Sequence, residues 1–440
     1  MPAGQVWQLP LAELGGRGRG PMDGQLPPRE PPSGMSLSRE ERCMWDTITW
    51  LLSLPAEERA CMELAEQVGY GDKALKAATA PPRPLAPPAP LAAGAVPAHV
   101  GGPPPPPRAA AARVRQTKTT KKWADPVEKA AAHNRALHNL APPYQASVAA
   151  GIIKSFPGET LCAVLDTGTV EAAALLCSLG LCPAVLNFAH GYNCGGGFEH
   201  AAGSQEEDLF RKTSLFLSLW PHRRADDGAG VLQRGLWIGE FDECLPRKEP
   251  YYPHTKAGAI YSPHVRLLRP GGGKRSGASA LPPTAAEGSG AGAAAAAADA
   301  ASASVGAGAA AVEALPVVAV LTVAAQNVGR EPPFQRELLL QKARTTLYLA
   351  ALHGHSALVL GAFGCGYFRN PAREVAAVFD ELLRGEFRGA FAAVCMAVPT
   401  AYGRHNFEAF SERFEVLPKE KFVAQLRATL CATAQPEPGR

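Results

Sequence analysis

Patterns typical of strands and helices alternate from residue 161 to residue 398 of this 440-residue chain. Short apolar runs predict strands, and longer stretches with apolar residues at helical spacing predict helices. The predicted strands are Leu161–Leu165, Ala184–Phe188, Ala259–Tyr261, Val317–Ala324, Ala357–Leu360 and Phe391–Val398. The predicted helices are Val170–Leu179, Ser204–Trp220, Phe334–His353 and Arg373–Arg384. This alternation predicts an α/β fold in which helices cover both faces of a mixed, largely parallel sheet.

The 41 prolines and 44 glycines are clustered, and the clusters divide the chain into regions. We expect residues 1–35 to be disordered and residues 36–70 to form a short helical element, broken at Pro55, whose role is unknown. Residues 71–124 read as a Pro/Ala-rich linker with a basic patch, which is either a solvated tail or a weak nuclear-targeting or anion-contacting segment. The folded domain is predicted over residues 125–437, with a disordered Ala/Gly-rich insertion at 271–315.

Charge and cysteine content limit the classes of function. The formal net charge of +4 is too small to indicate nucleic-acid or membrane binding by itself. The ten cysteines include no CxxC pair and many stand in apolar runs, which indicates reduced thiols. No apolar stretch is long enough to span a membrane and no secretory signal is evident. We therefore predict an intracellular monomer, nuclear or cytoplasmic and not secreted.

A strand, a glycine-rich loop and a helix follow one another in the stretch Ala184–Leu219. Without a Cβ, the consecutive glycines Gly195–Gly197 let backbone N–H groups approach a phosphate near the positive end of a helix dipole. The first helical turn carries two glutamates, and carboxylates repel a phosphate. Their presence therefore indicates chemistry on a neutral part of a phosphate-bearing ligand.

Glu207 has two interpretations at this level. Ser204 and Glu207 fit a capping box, in which the glutamate bonds back to the first amide and merely starts the helix. A catalytic glutamate would occupy the same position. The pattern alone does not choose between them.

Gly195-Gly196-Gly197 followed by Gln205-Glu206-Glu207 resembles the GGG…QEE signature of poly(ADP-ribose) glycohydrolases. The surrounding LNFAHGYNCGGGF is similar to the microbial-type branch of that family, which is built on a macrodomain. A second match is GAFGCGYFRNP, at Gly361–Pro371. The resemblance covers roughly Glu159–Pro399 and implies a macrodomain-like three-layer α/β/α sandwich.

The resemblance implies hydrolysis of the ribose–ribose O-glycosidic bonds of poly(ADP-ribose), with release of ADP-ribose and reversal of ADP-ribosylation. The partners would be poly(ADP-ribose) or ADP-ribosylated proteins, without nucleic-acid base readout or membrane contact. Neither a metal nor a cofactor is implied. Two alternatives stay open: a macrodomain that binds ADP-ribose without cleaving it, and a hydrolase of mono-ADP-ribosylated protein or nucleic acid.

The family's motifs also imply roles for individual residues. Glu207, the catalytic glutamate of the QEE motif, would protonate the departing 2′-oxygen and then activate water. Glu206 points about 100° away from it on a helix, so it would bond ribose hydroxyls together with Asn193. Phe368 matches the aromatic residue that packs on the distal ribose. The other predicted substrate-binding residues are Gly195, Gly196, Gly197, Gln205, Gly364, Cys365, Gly366 and Tyr367.

The second motif also suggests a helix start, with Asn370 as the N-cap and Pro371 as the first helical residue. The sequence departs from the family at several positions. His190 stands where small or amide side chains are usual, Cys194 where proline is common, and Gln326 replaces the proline of an APN segment. One acidic residue is missing after Asn370. All of these departures leave both glutamates in place, and those at His190, at Cys194 and after Asn370 would reshape the rim of the pocket.

A thiol nucleophile is a weaker alternative site. It would pair Cys194 with His190 or His200, but no third group that could orient the base is evident. The histidines and cysteines do not have zinc-site spacing.

Overall fold

The computed structural model describes residues 37–54, 56–68, 144–200, 203–223, 247–252, 254, 258–269 and 315–434. Within them the chain forms an eight-stranded sheet of order β1-β4-β5-β3-β6-β7-β2-β8. Pairs β1–β4 and β4–β5 are antiparallel and the others are parallel, which confirms the predicted mixed, largely parallel sheet. The strands are β1 (Glu66–Val68), β2 (Leu161–Leu165), β3 (Pro183–Ala189), β4 (Ala259–Arg266), β5 (Val317–Ala324), β6 (Ala357–Leu360), β7 (Ala393–Ala397) and β8 (Glu415–Val416).

The α-helices of the described residues stand between and beyond these strands. They are α1 (Arg39–Ser53), α2 (Ala56–Met62), α3 (Tyr144–Ala149), α4 (Thr169–Ser178), α5 (Gln205–Lys212), α6 (Leu215–Leu219), α7 (Arg336–Leu352), α8 (Ala372–Arg384), α9 (Arg404–Ser411) and α10 (Lys419–Ala434). Three predictions lie outside the described residues: the disorder of residues 1–35, the linker at 71–124 and the insertion at 271–315, of which only Leu315 is described.

The single helix predicted over Ser204–Trp220 is wrong. α5 ends at Lys212 because Thr213 has an extended backbone, with φ −138° and ψ 171°, and forms an antiparallel bridge with Leu267. The Thr213 hydroxyl then accepts the N–H of Leu215 at 3.1 Å, where α6 begins. A contact with a distant strand end therefore interrupts a continuous helical pattern.

The predicted start of α8 is wrong by one residue. Pro371 has extended backbone angles and is the N-cap, and the helix begins at Ala372. The side chain of Asn370 does not cap the helix. Its Nδ2 donates instead to the carbonyls of Gln326 at 2.8 Å and Gly364 at 3.1 Å, which ties two loops together.

Alternate residues of the strands face two separate hydrophobic layers, as the two-residue period of a strand requires. Leu165 and Val185 lie in one layer with α1, α2, α4, α5 and α6. Val164 and Leu186 lie in the other layer with α7 and α8. Helices therefore cover both faces, which confirms the three-layer α/β/α sandwich.

The element predicted over residues 36–70 forms two helices separated at Pro55, and α1 packs into the first of these layers. Met44, Trp45 and Ile48 of α1 are fully buried. The hydroxyl of Thr47 donates to the carbonyl of Arg211 at 3.0 Å, so α1 rests directly on α5. The N-terminal helix thus supports the helix that carries the predicted catalytic glutamates.

The parallel strands β5, β3 and β6 lie side by side, so their carboxyl ends meet at one edge of the sheet. β3 leads into the first glycine loop (residues 190–203), and β6 leads into the second glycine loop (residues 361–371). β5 leads into residues 325–335, here called the β5 loop. The carboxyl edge of an α/β sheet is where ligands of such folds bind.

Candidate active site

Glu207 lies in the first turn of α5 and is 4% exposed. Its Oε2 accepts the backbone N–H of Ser204 at 3.0 Å and also the Ser204 hydroxyl. The predicted capping box is therefore formed. The other carboxylate oxygen, Oε1, accepts the backbone N–H of Gly197 at 2.8 Å. Glu207 thus starts the helix and also holds the first glycine loop.

The glycines of the first loop are needed because the carboxylates lie against them. Gly196 has φ 62°, in the left-handed region. A Cβ at this position would lie 2.9 Å from Oε2 of Glu206 and would collide with Oε1 of Glu207. Gly195 has φ 77°, and a Cβ there would meet the rings of Phe198 and Phe210. Any larger residue at either position would displace the loop, the rings or the carboxylates.

Glu206 is 1% exposed and is held from two sides. Its Oε2 accepts the backbone N–H of His190 at 2.8 Å, and its Oε1 accepts Nδ2 of Asn187 at 3.5 Å. Burial, followed by the negative charge of Glu207, raises the pKa of Glu206 well above its ordinary value of 4.5. The hydrogen bonds from His190, Asn187 and the Gly195 backbone oppose this rise. The site therefore favours one proton on this carboxyl.

Gln205 lies beside the glutamates, but its side chain faces the sheet. Its Oε1 accepts the N–H of Phe188 at 2.9 Å, and its Nε2 donates to the carbonyl of Leu186 at 2.7 Å. A further contact reaches the Thr169 hydroxyl at 3.3 Å. These bonds fix α5 against β3, and a substrate contact by Gln205 stays a prediction.

His190 organises the start of the first loop. Its Nδ1 accepts the backbone N–H groups of Tyr192 at 3.2 Å and Asn193 at 3.0 Å. Burial, followed by the positive charge of Arg330, lowers the pKa of His190 below its ordinary value, with Glu207 opposing. The ring is thus neutral at pH 7, and because Nδ1 is an acceptor, its proton is on Nε2. Asn193 is half-buried in the same loop, and its contact with ribose hydroxyls stays a prediction.

The second glycine loop differs in how it uses its amides. Gly364 has φ 72°, and a Cβ there would lie 2.5 Å from Nδ2 of Asn370. Within the part of the chain that the structure describes, the backbone N–H groups of Gly366, Tyr367 and Phe368 have no hydrogen-bond acceptor. Successive unpaired N–H groups in a turn form a concave anion site. This arrangement is suited to contact with a diphosphate.

The predicted side chains of the second loop point in different directions. Tyr367 is exposed, whereas Cys365 is buried and burial raises its pKa to about 12. A substrate contact by Cys365 stays a prediction. Phe368 is half-buried, and its ring centroid lies 6.0 Å from that of His190 in an edge-to-face arrangement. This ring contact brings the two glycine loops together.

The sequence analysis missed Asn187 and Tyr252. Asn187 is fully buried in β3, where its Nδ2 donates to Glu206. The same Nδ2 lies 3.3 Å from the hydroxyl of Thr322 in β5. Tyr252 is buried close to Cys194 and Glu206, whose charges contribute, after burial, to a raised pKa of the tyrosine hydroxyl. A polar residue inside an apolar strand was a signal for Asn187, but no signal indicated Tyr252. Cys194 itself is buried.

In the described ranges, no group of three or more His, Cys, Asp or Glu side chains could hold a metal ion. No helix within those ranges is long and apolar enough to cross a membrane.

The sandwich with two glycine loops at its carboxyl edge is macrodomain-like. Residues 109–270 match the family model described as "Microbial-type PARG, catalytic domain", which takes in the first glycine loop and both glutamates. Over this region the chain resembles the microbial-type poly(ADP-ribose) glycohydrolase family. The resemblance predicted from the motifs is confirmed, as is the prediction of a hydrolase.

Several solved structures are similar to this chain. The poly(ADP-ribose) glycohydrolase of Deinococcus radiodurans in complex with ADP-ribose is 29% identical, over 66% of this chain and 92% of that chain, with a TM-score of 0.42. The Thermomonospora curvata glycohydrolase bound to the inhibitor ADP-HPD is 28% identical, over 58% of this chain and 79% of that chain, with a TM-score of 0.40. The comparison with curated proteins found no match.

Proposed function

We propose that this protein hydrolyses the ribose–ribose O-glycosidic bonds of poly(ADP-ribose) and releases ADP-ribose. The observation that carries this proposal is the pair Glu206 and Glu207, buried against Gly196 at the carboxyl edge of the sheet. A ligand-binding module needs amides for the diphosphate but has no use for two buried carboxylates. The match to a catalytic-domain family supports the same conclusion.

The two loops would divide the substrate between them. The unpaired amides of Gly366, Tyr367 and Phe368 suit the diphosphate. Asn193 and Glu206 suit the ribose hydroxyls. Because the pKa of Glu206 is raised, its carboxyl can keep a proton and adds no second negative charge beside the carboxylate that Glu207 becomes once it has given up its own proton.

The proposed reaction uses Glu207 twice. Glu207 gives a proton to the departing 2′-oxygen while the bond between that oxygen and C1 of the next ribose breaks, and the electron pair leaves with the oxygen. The ribose becomes an oxocarbenium ion, and the diphosphate offsets its positive charge. Water then bonds to C1 and returns one proton to the Glu207 carboxylate. The sum of the steps is the addition of one water across the bond.

A second function is favoured by one specific observation, the completed capping box at Ser204 and Glu207. If Glu207 only starts α5, the protein would bind ADP-ribose without cleaving it. A substrate preference for mono-ADP-ribosylated protein or nucleic acid is a further variant. Nuclear or cytoplasmic location stays a prediction, and it agrees with the free thiols of the described cysteines.

The test is incubation of the purified full-length protein with poly(ADP-ribose), followed by separation of the products by length. We expect shortening of the chains and accumulation of free ADP-ribose. Calorimetry on the same preparation should give a micromolar-range Kd for ADP-ribose, about −8 kcal/mol. Binding without chain shortening would contradict the hydrolase and favour the binding module.

A further inference from the structure

The helix α5 carries many charged side chains, and the sandwich buries them. Its ionisable residues are Glu206, Glu207, Asp208, Arg211 and Lys212, and each is at most 9% exposed. A helix on the outside of a sheet usually buries an apolar stripe and leaves its charges in water. Burial of an ion is costly unless the ion is paired, so the partners of these groups show what the burial achieves.

Lys212, the last residue of α5, ties the helix to α4 and to the segment after β4. Its Nζ lies 2.9 Å from Oε1 of Glu171, in the first turn of α4, and 3.0 Å from Oδ2 of Asp208. The Lys212 carbonyl accepts the backbone N–H of Leu268 at 2.8 Å and that of Arg269 at 3.2 Å. The C-terminal end of α5 is therefore fixed to two other elements by both side chain and backbone.

Arg269, which follows β4 and is 5% exposed, joins the same end of α5 to α1. Its Nη1 donates to the Arg211 carbonyl at 2.9 Å and to the Thr47 hydroxyl at 2.7 Å. The same nitrogen lies 3.3 Å from the carbonyl oxygen and 2.9 Å from the sulfur of Cys43 in α1. A cation at the C-terminal end of a helix also interacts favourably with the helix dipole. Arg269 thus holds the last turn of α5 against α1.

The two ends of α5 are close enough for one to set the position of the other. Lys212 lies five residues after Glu207, which is about 7.5 Å along the helix axis. At the other end Glu207 accepts the Gly197 N–H, and Glu206 accepts the His190 N–H, each at 2.8 Å. A shift of α5 by about 1 Å would take both contacts out of the usual hydrogen-bond range of about 2.7–3.2 Å.

We propose that Lys212 and Arg269 are positioning residues of the hydrolase, which hold α5 by its C-terminal end so that Glu206 and Glu207 meet the first glycine loop. This inference rests on the proposed hydrolysis. Neither residue belongs to the GGG…QEE motif or to the second glycine loop. A network that only stabilised the fold would affect the melting temperature and leave the rate of each folded molecule unchanged.

The test measures the rate of each folded molecule in Lys212→Met and Arg269→Met, made in the full-length protein. The calorimetric stoichiometry of ADP-ribose binding counts the folded molecules. We expect kcat to fall at least about tenfold, because displacement of a reacting group by about 1 Å can cost about a hundredfold in rate. The KM should change less than about twofold, since the proposed diphosphate contact lies on the second loop.

Conservative variants should restore or share the effect. The contacts of Arg269 given above all come from Nη1, so the single ammonium of Arg269→Lys can replace them and should recover most of the lost kcat. Glu171→Gln removes the partner of Lys212 at nearly constant size, so it carries the test if a methionine variant does not fold. Glu171→Gln combined with Lys212→Met should lose no more kcat than Lys212→Met alone, because both remove the same tie.

Arg344→Met is the matched control, since it breaks a part-buried ion pair in the opposite hydrophobic layer. Arg344 of α7 donates to Glu386 through Nε at 2.7 Å and through Nη2 at 2.8 Å. This variant should lower the Tm and keep kcat. Unchanged kcat in Lys212→Met and Arg269→Met would overturn the proposal, and so would an equal loss of kcat in Arg344→Met.

Hydrogen exchange of the Gly197 and Ser204 amides, which bond Glu207, gives a second readout that does not depend on turnover. Both amides should exchange faster in Lys212→Met and Arg269→Met than in Arg344→Met. If the wild-type protein releases no ADP-ribose but the exchange still differs in this way, the hydrolysis fails and the positioning stands. If turnover is present and neither kcat nor exchange responds to Lys212 and Arg269, only the positioning fails.

Discussion

The two glycine loops hold their backbone amides in opposite ways. In the first loop the amides of Tyr192 and Asn193 bond His190, and the Gly197 amide bonds Glu207. In the second loop the amides from Gly366 to Phe368 have no acceptor within the described chain. Glycine therefore serves packing against carboxylates in one loop and open access to a ligand in the other. We assign chemistry to the first loop and diphosphate binding to the second.

The largest effect is expected for Gly196→Ala. Alanine at φ 62° is strained by about 1–2 kcal/mol, and its Cβ would push on both glutamates. Displacement of a reacting group by about 1 Å can cost about a hundredfold in rate, so we expect at least that loss together with a lower Tm.

Gly366→Ala is the matched variant in the second loop. A Cβ at Gly366 would meet no heavy atom within 4 Å, and its φ is not in the left-handed region. Its Tm should equal that of the wild type. If Gly196→Ala also melted at the wild-type temperature, the proposed difference between the loops would be lost.

Thr47→Val should reduce stability by about 2 kcal/mol. The valine removes the hydroxyl that donates to the Arg211 carbonyl and accepts from Arg269 at 2.7 Å, both in buried surroundings. Because α1 rests on α5, kcat should fall while ADP-ribose affinity is kept. Ser53→Ala is the control, since this exposed hydroxyl bonds only its own helix, at Trp50. Denaturant unfolding measures the first effect, and an unchanged midpoint for Thr47→Val would contradict it.

Asn370→Ala should weaken ADP-ribose binding about tenfold, which is about 1.4 kcal/mol. The substitution leaves the Gln326 carbonyl without this donor, whereas the Gly364 carbonyl keeps the backbone N–H of residue 370, so the second loop loses its side-chain tie to the β5 loop. Calorimetry measures the Kd for ADP-ribose, and turnover at saturating substrate measures kcat. Together they distinguish an effect on binding from an effect on the chemistry. A fall in kcat with an unchanged Kd would show that Asn370 supports the chemistry rather than ligand binding, which would contradict this prediction.

The smallest effect is a pH-dependent difference in stability. The folded state binds a proton on Glu206 more tightly than the unfolded state, so wild-type stability falls as pH rises above the ordinary pKa of 4.5. Glu206→Gln cannot lose a proton, and its amide can pair with Oδ1 of Asn187, which has no partner among the described residues. The Tm of Glu206→Gln relative to that of the wild type should therefore increase as the pH is raised from 4.5 to 8. A Tm difference that is constant across this range would show that burial does not penalise the Glu206 carboxylate.

Much of the fold could be predicted from the sequence because the spacing of apolar residues in a strand or a helix is a local property of the chain. The strand and helix alternation and the capping box at Ser204 were predictable for this reason. The break at Thr213 was not, since it depends on a bridge to Leu267, far along the chain. The packing of α1 on α5 was also hidden, because an apolar stripe does not identify its partner.

The candidate site was predictable in part for a related reason. The glutamates and glycines form motifs, so their positions were evident. The direction of the Gln205 side chain and the burial of Cys365 depend on the packed sheet. The ring contact between His190 and Phe368 joins two loops, and only the adjacency of β3 and β6 brings these residues together.

The most direct test of the account is one paired measurement, of melting temperature and ADP-ribose release, on Glu207→Gln and Ser204→Ala. Glutamine has one acceptor oxygen, which can still take the Ser204 amide, whereas the Gly197 amide loses its acceptor. Glu207→Gln should therefore lose only about 1 kcal/mol of stability and should keep its ADP-ribose binding. It cannot donate and recover a proton, so its rate should fall at least about a hundredfold. Ser204→Ala should lose about 1 kcal/mol of stability and keep most of its rate. Wild-type turnover in Glu207→Gln would contradict the account, and Glu207 would then only start a helix.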